Sequence, residues 1–141
     1  MRHVLNAFLI ALVCSGCASF TDPLGRKESL ELAQKHYTDF VRWGDFERAS
    51  RFVEPDQRDV FLEKAGDLEQ IRVTDFDVMD IEFDGEDEVN VFVTYHGFSL
   101  ITALEHRFRE HQRWLRDPGL RNQWWVETDL IDAIAVLREE S

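Results

Sequence analysis

The side chains in this 141-residue sequence best suited to moving a proton are Asp77 and Tyr95. A turn over Asp84–Glu88 pairs Phe83 with Val89. The same register sets Ile81 opposite Val91, Met79 opposite Val93 and Asp77 opposite Tyr95. A carboxyl and a phenol on an otherwise apolar face could serve a bound molecule as acid and base, because burial raises a carboxyl's pKa. In the competing reading the two form a hydrogen-bonded pair at the open end of the sheet, or Asp77 turns outward at a bulge. The pocket candidates are Tyr37, Asp77, Tyr95 and Trp114. Asp77 and Tyr95 are the catalytic candidates.

Other chemistries find less support. His36, His96, His106 and His111 include no i, i+4 pair, so no metal site is expected. The acids from Asp75 to Glu88 have no Lys or Arg among them, but they lack the glycine and ligand spacing of a calcium loop and read as a solvated strand face. Arg107, Arg109, Arg113 and Arg116 could meet a phosphate or an acidic partner, but charge pairing across the sheet is the preferred reading. Trp43, Trp114, Trp124 and Trp125 read as core and outer-face packing. No phosphate loop, dinucleotide glycine pattern or nucleophile elbow is present, and no cofactor is implied. With 28 Asp+Glu against 16 Lys+Arg the net charge is −12, which argues against nucleic acid as a partner.

The amino-terminal segment reads as an address. Arg2 supplies a positive charge, and Val4–Val13 is an apolar run broken only by Asn6, too short to span a bilayer but suited to a signal-peptide core. Ser15-Gly16-Cys17 follows, and small residues directly before a Cys resemble the lipobox of bacterial lipoproteins. The resemblance implies cleavage before Cys17 and lipidation of that residue, giving a signal peptide over 1–16 and a lipidated tether over 17–25. Cys14 sits where the family usually has Leu, and bulky Val13 precedes it, so it is not the lipidated residue. Ala18 follows Cys17 where an Asp would retain the protein at the inner membrane. The implied location is therefore the periplasmic face of the outer membrane, with the lipid as the contact. Removing 1–16 takes away one Arg and no acid, so the net charge falls to −13 and anionic headgroups repel the polypeptide.

These groups have to be positioned by a single domain over 26–141. At 44% apolar with eleven Phe and four Trp, the chain can build a core. Leu30, Ala33, Tyr37, Phe40 and Val41 fall on one face of a helix over Arg26–Trp43, which Gly44 ends. Asp45 can cap a second helix that turns Phe46, Ala49 and Phe52 inward. A third helix begins with Pro55 in its first turn and buries Phe61, Leu62, Ala65 and Leu68. The period then changes to two. Ile71–Phe83 alternates, but its apolar phase slips twice: Ile71 and Val73 are odd, Phe76 and Val78 even, Ile81 and Phe83 odd again. A bulge or strong bend is expected. Val89, Val91, Val93 and Tyr95 alternate cleanly. Leu100–Arg116 fits either a helix or a strand, Asp117-Pro118-Gly119 is a turn, Gln123–Ile131 reads as a strand, and the tail 132–141 as a short helix.

Three helices followed by strands imply an α+β fold, with helices packed on one face of an antiparallel sheet. Gly44-Asp45-Phe46-Glu47-Arg48-Ala49 after an amphipathic helix, and Gln112-Arg113-Trp114, then a turn, then Trp124-Trp125-Val126, resemble the nuclear-transport-factor-2-like superfamily. That superfamily includes ketosteroid isomerase and SnoaL-type cyclases. The resemblance implies a strongly curved, cone-like sheet around the first helix, and it turns Glu105–Arg116 into a strand. No motif aligns with the family's catalytic positions, so none is carried over. The expected hairpin sets Trp114 opposite Trp124, Arg113 beside Trp125, His111 beside Glu127 and Arg109 beside Asp129, with Phe108, Trp114, Trp124, Val126 and Thr128 towards the core.

Together these readings point to an outer-membrane lipoprotein acting as a non-catalytic binding module, its partner a small apolar ligand or an envelope protein. The rival is a small cone-fold enzyme doing isomerase- or hydrolase-like acid–base chemistry. A filled cone interior supports the first reading, and an open pocket with convergent polar groups supports the second.

Overall fold

A computed structural model describes residues 25–120, 122–130 and 132–133. The readings on Cys14, Cys17 and the segments 1–16 and 17–24, and most of the tail 132–141, lie outside the described residues.

Helix α1 spans Arg26–Trp43, as its spacing predicts. Leu30, Tyr37 and Val41 are buried on one stripe, with Ala33 and Phe40 half-buried beside it. Gly44 ends the helix at φ 71°, where a residue with a Cβ would be strained, and its N–H and that of Asp45 close back on Val41 and Phe40. Asp45 caps α2 (Phe46–Ala49) by accepting from the Arg48 N–H at 3.2 Å. A 3₁₀ turn over Ser50–Phe52 follows. Helix α3 is Arg58–Ala65, so Pro55 sits in the turn before it rather than in its first helical turn. Phe61 and Ala65 are buried there, and Leu68 is buried in the 3₁₀ turn Gly66–Gln70.

Four antiparallel strands, β1 (Ile71–Asp84), β2 (Glu88–Ser99), β3 (Glu105–Arg116) and β4 (Trp124–Thr128), form one sheet in the order β1-β2-β3-β4. Helix α1 touches both edges of that sheet. Arg26 bonds Glu86 at 2.6 Å and Arg42 bonds the Thr74 carbonyl at 2.9 Å on the β1 side, while the Trp124 indole donates to Ser29 at 3.0 Å on the β4 side. A sheet whose two edges meet one helix has to curl around it, and the core is the space enclosed.

The slipping phase of β1 resolves into two bulges, between Val73 and Asp75 and between Val78 and Asp80. Each inserts one residue, so Ile71, Val73, Phe76, Val78, Ile81 and Phe83 all reach the same inner face. The bulges also correct the expected pairing. Phe83 opposes Val89 and Ile81 opposes Val91 as expected, but Val78 rather than Met79 opposes Val93, and Phe76 rather than Asp77 opposes Tyr95. Near the first bulge, a Cβ on Gly97 would lie 2.6 Å from the Arg72 carbonyl oxygen, so that close approach requires glycine.

Residues 105–116 are a strand, with Phe108 and Trp114 inward as expected. Its partner register is displaced by two residues from the expectation: Trp114 opposes Val126, Arg113 opposes Glu127 and Arg116 opposes Trp124. Every side chain keeps its face. Arg113 therefore bonds Glu88 at 2.6 Å and Glu127 at 2.9 Å instead of covering Trp125, and Arg58 lies over the Trp125 ring at 5.2 Å. Arg109 has no pairing with Asp129, whose carboxylate accepts the His111 N–H at 2.7 Å.

Candidate functional site

The polar centre of the fold is Glu110, on the inner face of β3 between Phe108 and Trp114, and its side chain is 0% exposed. Strand alternation puts it there. Residues 108, 110, 112 and 114 share a face, so two polar residues, Glu110 and Gln112, enter the core between two aromatic ones.

Four donors converge on this carboxyl. The Tyr37 hydroxyl, from the middle of α1, donates to Oε1 at 2.7 Å. The Tyr95 hydroxyl, from β2, donates to Oε2 at 2.7 Å, and Gln112 Nε2 donates to the same oxygen at 2.8 Å. The Thr128 hydroxyl, from β4, donates to Oε1. The network runs on through Gln112, which donates to Thr38 at 3.2 Å and accepts from the Trp114 indole at 3.1 Å. Aromatic rings enclose it. Trp114 meets Tyr37 edge-on at 5.8 Å, Phe52 packs on both, and Tyr95 stacks on Phe108 at 5.1 Å.

Burial is the largest influence on Glu110 and holds its carboxyl above the usual range, against the four donors, which favour the charged form. Burial, with the neighbouring carboxyl, also pushes both phenols well above their usual values. A lone ionised carboxyl in such a core would cost many kcal/mol. A carboxyl with both oxygens hydrogen-bonded costs far less and fixes the side chains around it.

Three of the four pocket candidates, Tyr37, Tyr95 and Trp114, line this interior, each 0% exposed. Asp77 does not. The first bulge puts it on the outer face opposite Thr94, its side chain 66% exposed and 3.1 Å from His96. The catalytic pairing of Asp77 with Tyr95 is thereby corrected: the carboxyl partner of Tyr95 is Glu110. The period-two pattern of β3 carried that signal, since any strand that buries Phe108 and Trp114 also buries residues 110 and 112.

Cavities among the described residues also lie outside the cone. One of about 290 Å³ lies between α3 and β4, lined by Val53, Val60, Phe61, Lys64, Val126 and Thr128 among others. Another, of about 700 Å³, sits under the β1–β2 turn, between Glu54, Asp84, Glu86, Arg116 and Trp125. Trp124 is buried, Trp125 half-buried, and Trp43 lies exposed under Arg42.

No protein-family model matches the chain, and no curated protein sequence does. Solved structures do resemble it. A ketosteroid isomerase-like protein from Erwinia carotovora atroseptica superposes with a TM-score of 0.56 at 11% identity, covering 76% of this chain and 92% of that one. A nuclear-transport-factor-2-like protein from Cytophaga hutchinsonii gives 0.52 at 16% identity, covering 72% and 92%. A proposed polyketide cyclase from Xanthomonas campestris gives 0.51 at 15% identity, covering 79% and 97%. At such identities a likeness speaks for architecture alone. The chain has the nuclear-transport-factor-2-like fold, an α+β cone of three helices and a curved antiparallel sheet.

Proposed function

We propose that this chain is a lipoprotein of the outer membrane's periplasmic face, anchored through Cys17, whose cone is a non-catalytic binding module. One observation carries the non-catalytic part. The only buried carboxyl in the described interior, Glu110, is wholly enclosed and has both oxygens bonded by Tyr37, Tyr95, Gln112 and Thr128. A general acid or base must come within hydrogen-bond reach of its substrate. Here the chain itself occupies every such position, so the cluster organises the core and binding falls to the outer surface. The anchor is supported by Ser15-Gly16-Cys17 after the apolar run.

A specific observation keeps the enzyme as a second reading. A carboxyl held above its usual pKa between two phenols, in a fold shared with isomerase-like and cyclase structures, has the make-up of a proton-transfer constellation. A thermal-shift screen of small apolar molecules against wild type and Glu110→Gln separates the two. The expected result is no ligand whose shift depends on Glu110. A ligand that raises the wild-type Tm and loses that effect in Glu110→Gln favours the enzyme. Palmitate labelling tests the anchor: Cys17→Ala should abolish uptake and Cys14→Ala should leave it intact, while continued labelling of Cys17→Ala would refute it.

A further inference from the structure

Strand β1 is an edge of the sheet, and its distal half leaves apolar side chains in the open. Val78 is 41% exposed, Ile81 51% and Phe83 61%, although all three face the same side as the buried Val93, Val91 and Val89 that they oppose. Scattered exposed apolar residues need no explanation, but a row along one edge strand marks a surface for association. The opposite face of the same strand carries Asp75, Asp77, Asp80, Glu82 and Asp84, and the strand's single basic residue, Arg72, sits at the far end of that face from Asp80, Glu82 and Asp84. The nearest basic row is on β3, where Arg109 is separated from Asp77 by Thr94 of β2. Two strand spacings are about 10 Å, roughly a Debye length at physiological ionic strength, so those arginines leave Asp80, Glu82 and Asp84 largely uncompensated.

Acids and bulges on an edge strand prevent pairing with identical strands. They do not account for the open row of Val78, Ile81 and Phe83. An edge that repels its own copy and still presents apolar surface selects a partner of opposite charge. We infer that β1, over Val78–Asp84, docks an extended cationic segment of another protein. In that segment Lys or Arg would alternate with apolar residues, so that one side seats on Val78, Ile81 and Phe83 and the other faces Asp80, Glu82 and Asp84. Strand addition of this kind takes affinity from the backbone and selectivity from alternate side chains. The inference rests on the reading of the chain as a binding module and names the partner's chemistry.

The test is fluorescence anisotropy of a labelled Lys-Val-Lys-Phe-Lys-Val-Lys peptide titrated with the full-length chain in nonionic detergent. Saturable binding is expected. It should weaken at least about tenfold in the Glu82→Lys/Asp84→Lys pair and several-fold in Ile81→Thr/Phe83→Thr. The charge-matched pair Asp59→Lys/Glu63→Lys, on exposed positions of α3, should change it less than about twofold. A peptide with Glu in place of Lys should not bind. On the wild-type protein, added Lys peptide should slow amide exchange in β1. Three results would each overturn the docking site: equal weakening by the α3 pair, which signals only the diffuse field of an acidic chain; no effect of the apolar pair; or unchanged exchange in β1. Sedimentation showing a dimer that the β1 variants dissolve would overturn it in favour of a second copy. None of these outcomes depends on Glu110, so the non-catalytic reading stands or falls separately.

Discussion

Tyr37 and Glu110 are 73 residues apart in sequence, and their hydroxyl and carboxyl meet at 2.7 Å. Neither side chain has any exposure. The contact ties the middle of α1 to the middle of β3, and the cone closes around it. Tyr37→Phe removes one of two donors to Oε1 and leaves Thr128, so it should cost about 1–2 kcal/mol. Glu110→Ala strands two phenols, an amide and the Thr128 hydroxyl and opens a void, and should cost about 3–5 kcal/mol. Tyr37→Phe and Tyr95→Phe share one carboxyl and should be non-additive by more than about 0.5 kcal/mol. Urea denaturation measures all three, and a Glu110→Ala midpoint equal to wild type would contradict this account of the core.

The pH dependence of stability should carry the mark of Glu110. Its folded pKa is raised by burial above the ordinary 4.5. As pH rises past the unfolded value, the unfolded chain releases a proton that the folded chain still holds. The folded state then binds more protons, and stability falls until pH passes the folded pKa. Asp87, Glu88 and Asp117 act in the opposite sense. Arg116, Arg113 and the Trp125 indole respectively hold them below their usual values, so their contribution is present above the unfolded pKa and lost as pH falls through the folded one. Melting curves of wild type and Glu110→Gln between about pH 3 and pH 8 should diverge, with the variant gaining relative to wild type as pH rises. Parallel curves would mean that folding leaves the Glu110 pKa unshifted, and divergence in the opposite sense that it is lowered.

Gly97→Ala should test the first bulge. The added Cβ would stand 2.6 Å from the Arg72 carbonyl oxygen, a backbone atom that cannot move alone. The expected loss is about 1–3 kcal/mol, with faster amide exchange in β1 on either side of Thr74. An alanine variant as stable as wild type would show that the two strands separate there at no cost.

Phe61→Ala probes the packing of α3. Its ring is buried, meets Phe46 at 6.5 Å and borders the 290 Å³ cavity between α3 and β4. The new void joins existing space, so the loss belongs at the low end for a buried Phe, about 3 kcal/mol. A loss near zero would mean that α3 contributes no core.

Much of this architecture was legible in the residues. Spacing and Gly44 bound α1, Asp45 caps α2, and the change to period two at Ile71 marks the sheet. The phase slips of β1 foretold its bulges, because only an inserted residue returns a slipped alternation to one face. A flat register carried through those bulges misplaces Asp77 on the inner face. Glu110 is not legible as a core residue while polar residues in a strand are taken as outward, even though its neighbours at i ± 2 turn in.

The sequence by itself determined the helices, the alternating faces of β2 and the hairpin turn, which follow from local periodicity and backbone preference, whereas local pattern left Glu105–Arg116 open between helix and strand. Tertiary structure decided the rest. A two-residue displacement of β4 against β3 leaves every side chain on its face, so alternation cannot choose between registers. The observed one lets Arg113 bond Glu127 across β4 and Glu88 across β2. Alternation also names the apolar face of β1 without saying whether anything covers it. Helix α1 reaches Thr74 at one end and Glu86 at the other, and among the described residues the row Val78, Ile81 and Phe83 stays largely exposed. The partnership of Glu110 with Tyr37, Tyr95 and Thr128 joins α1, β2, β3 and β4, a convergence that exists only once the sheet has closed around its helix.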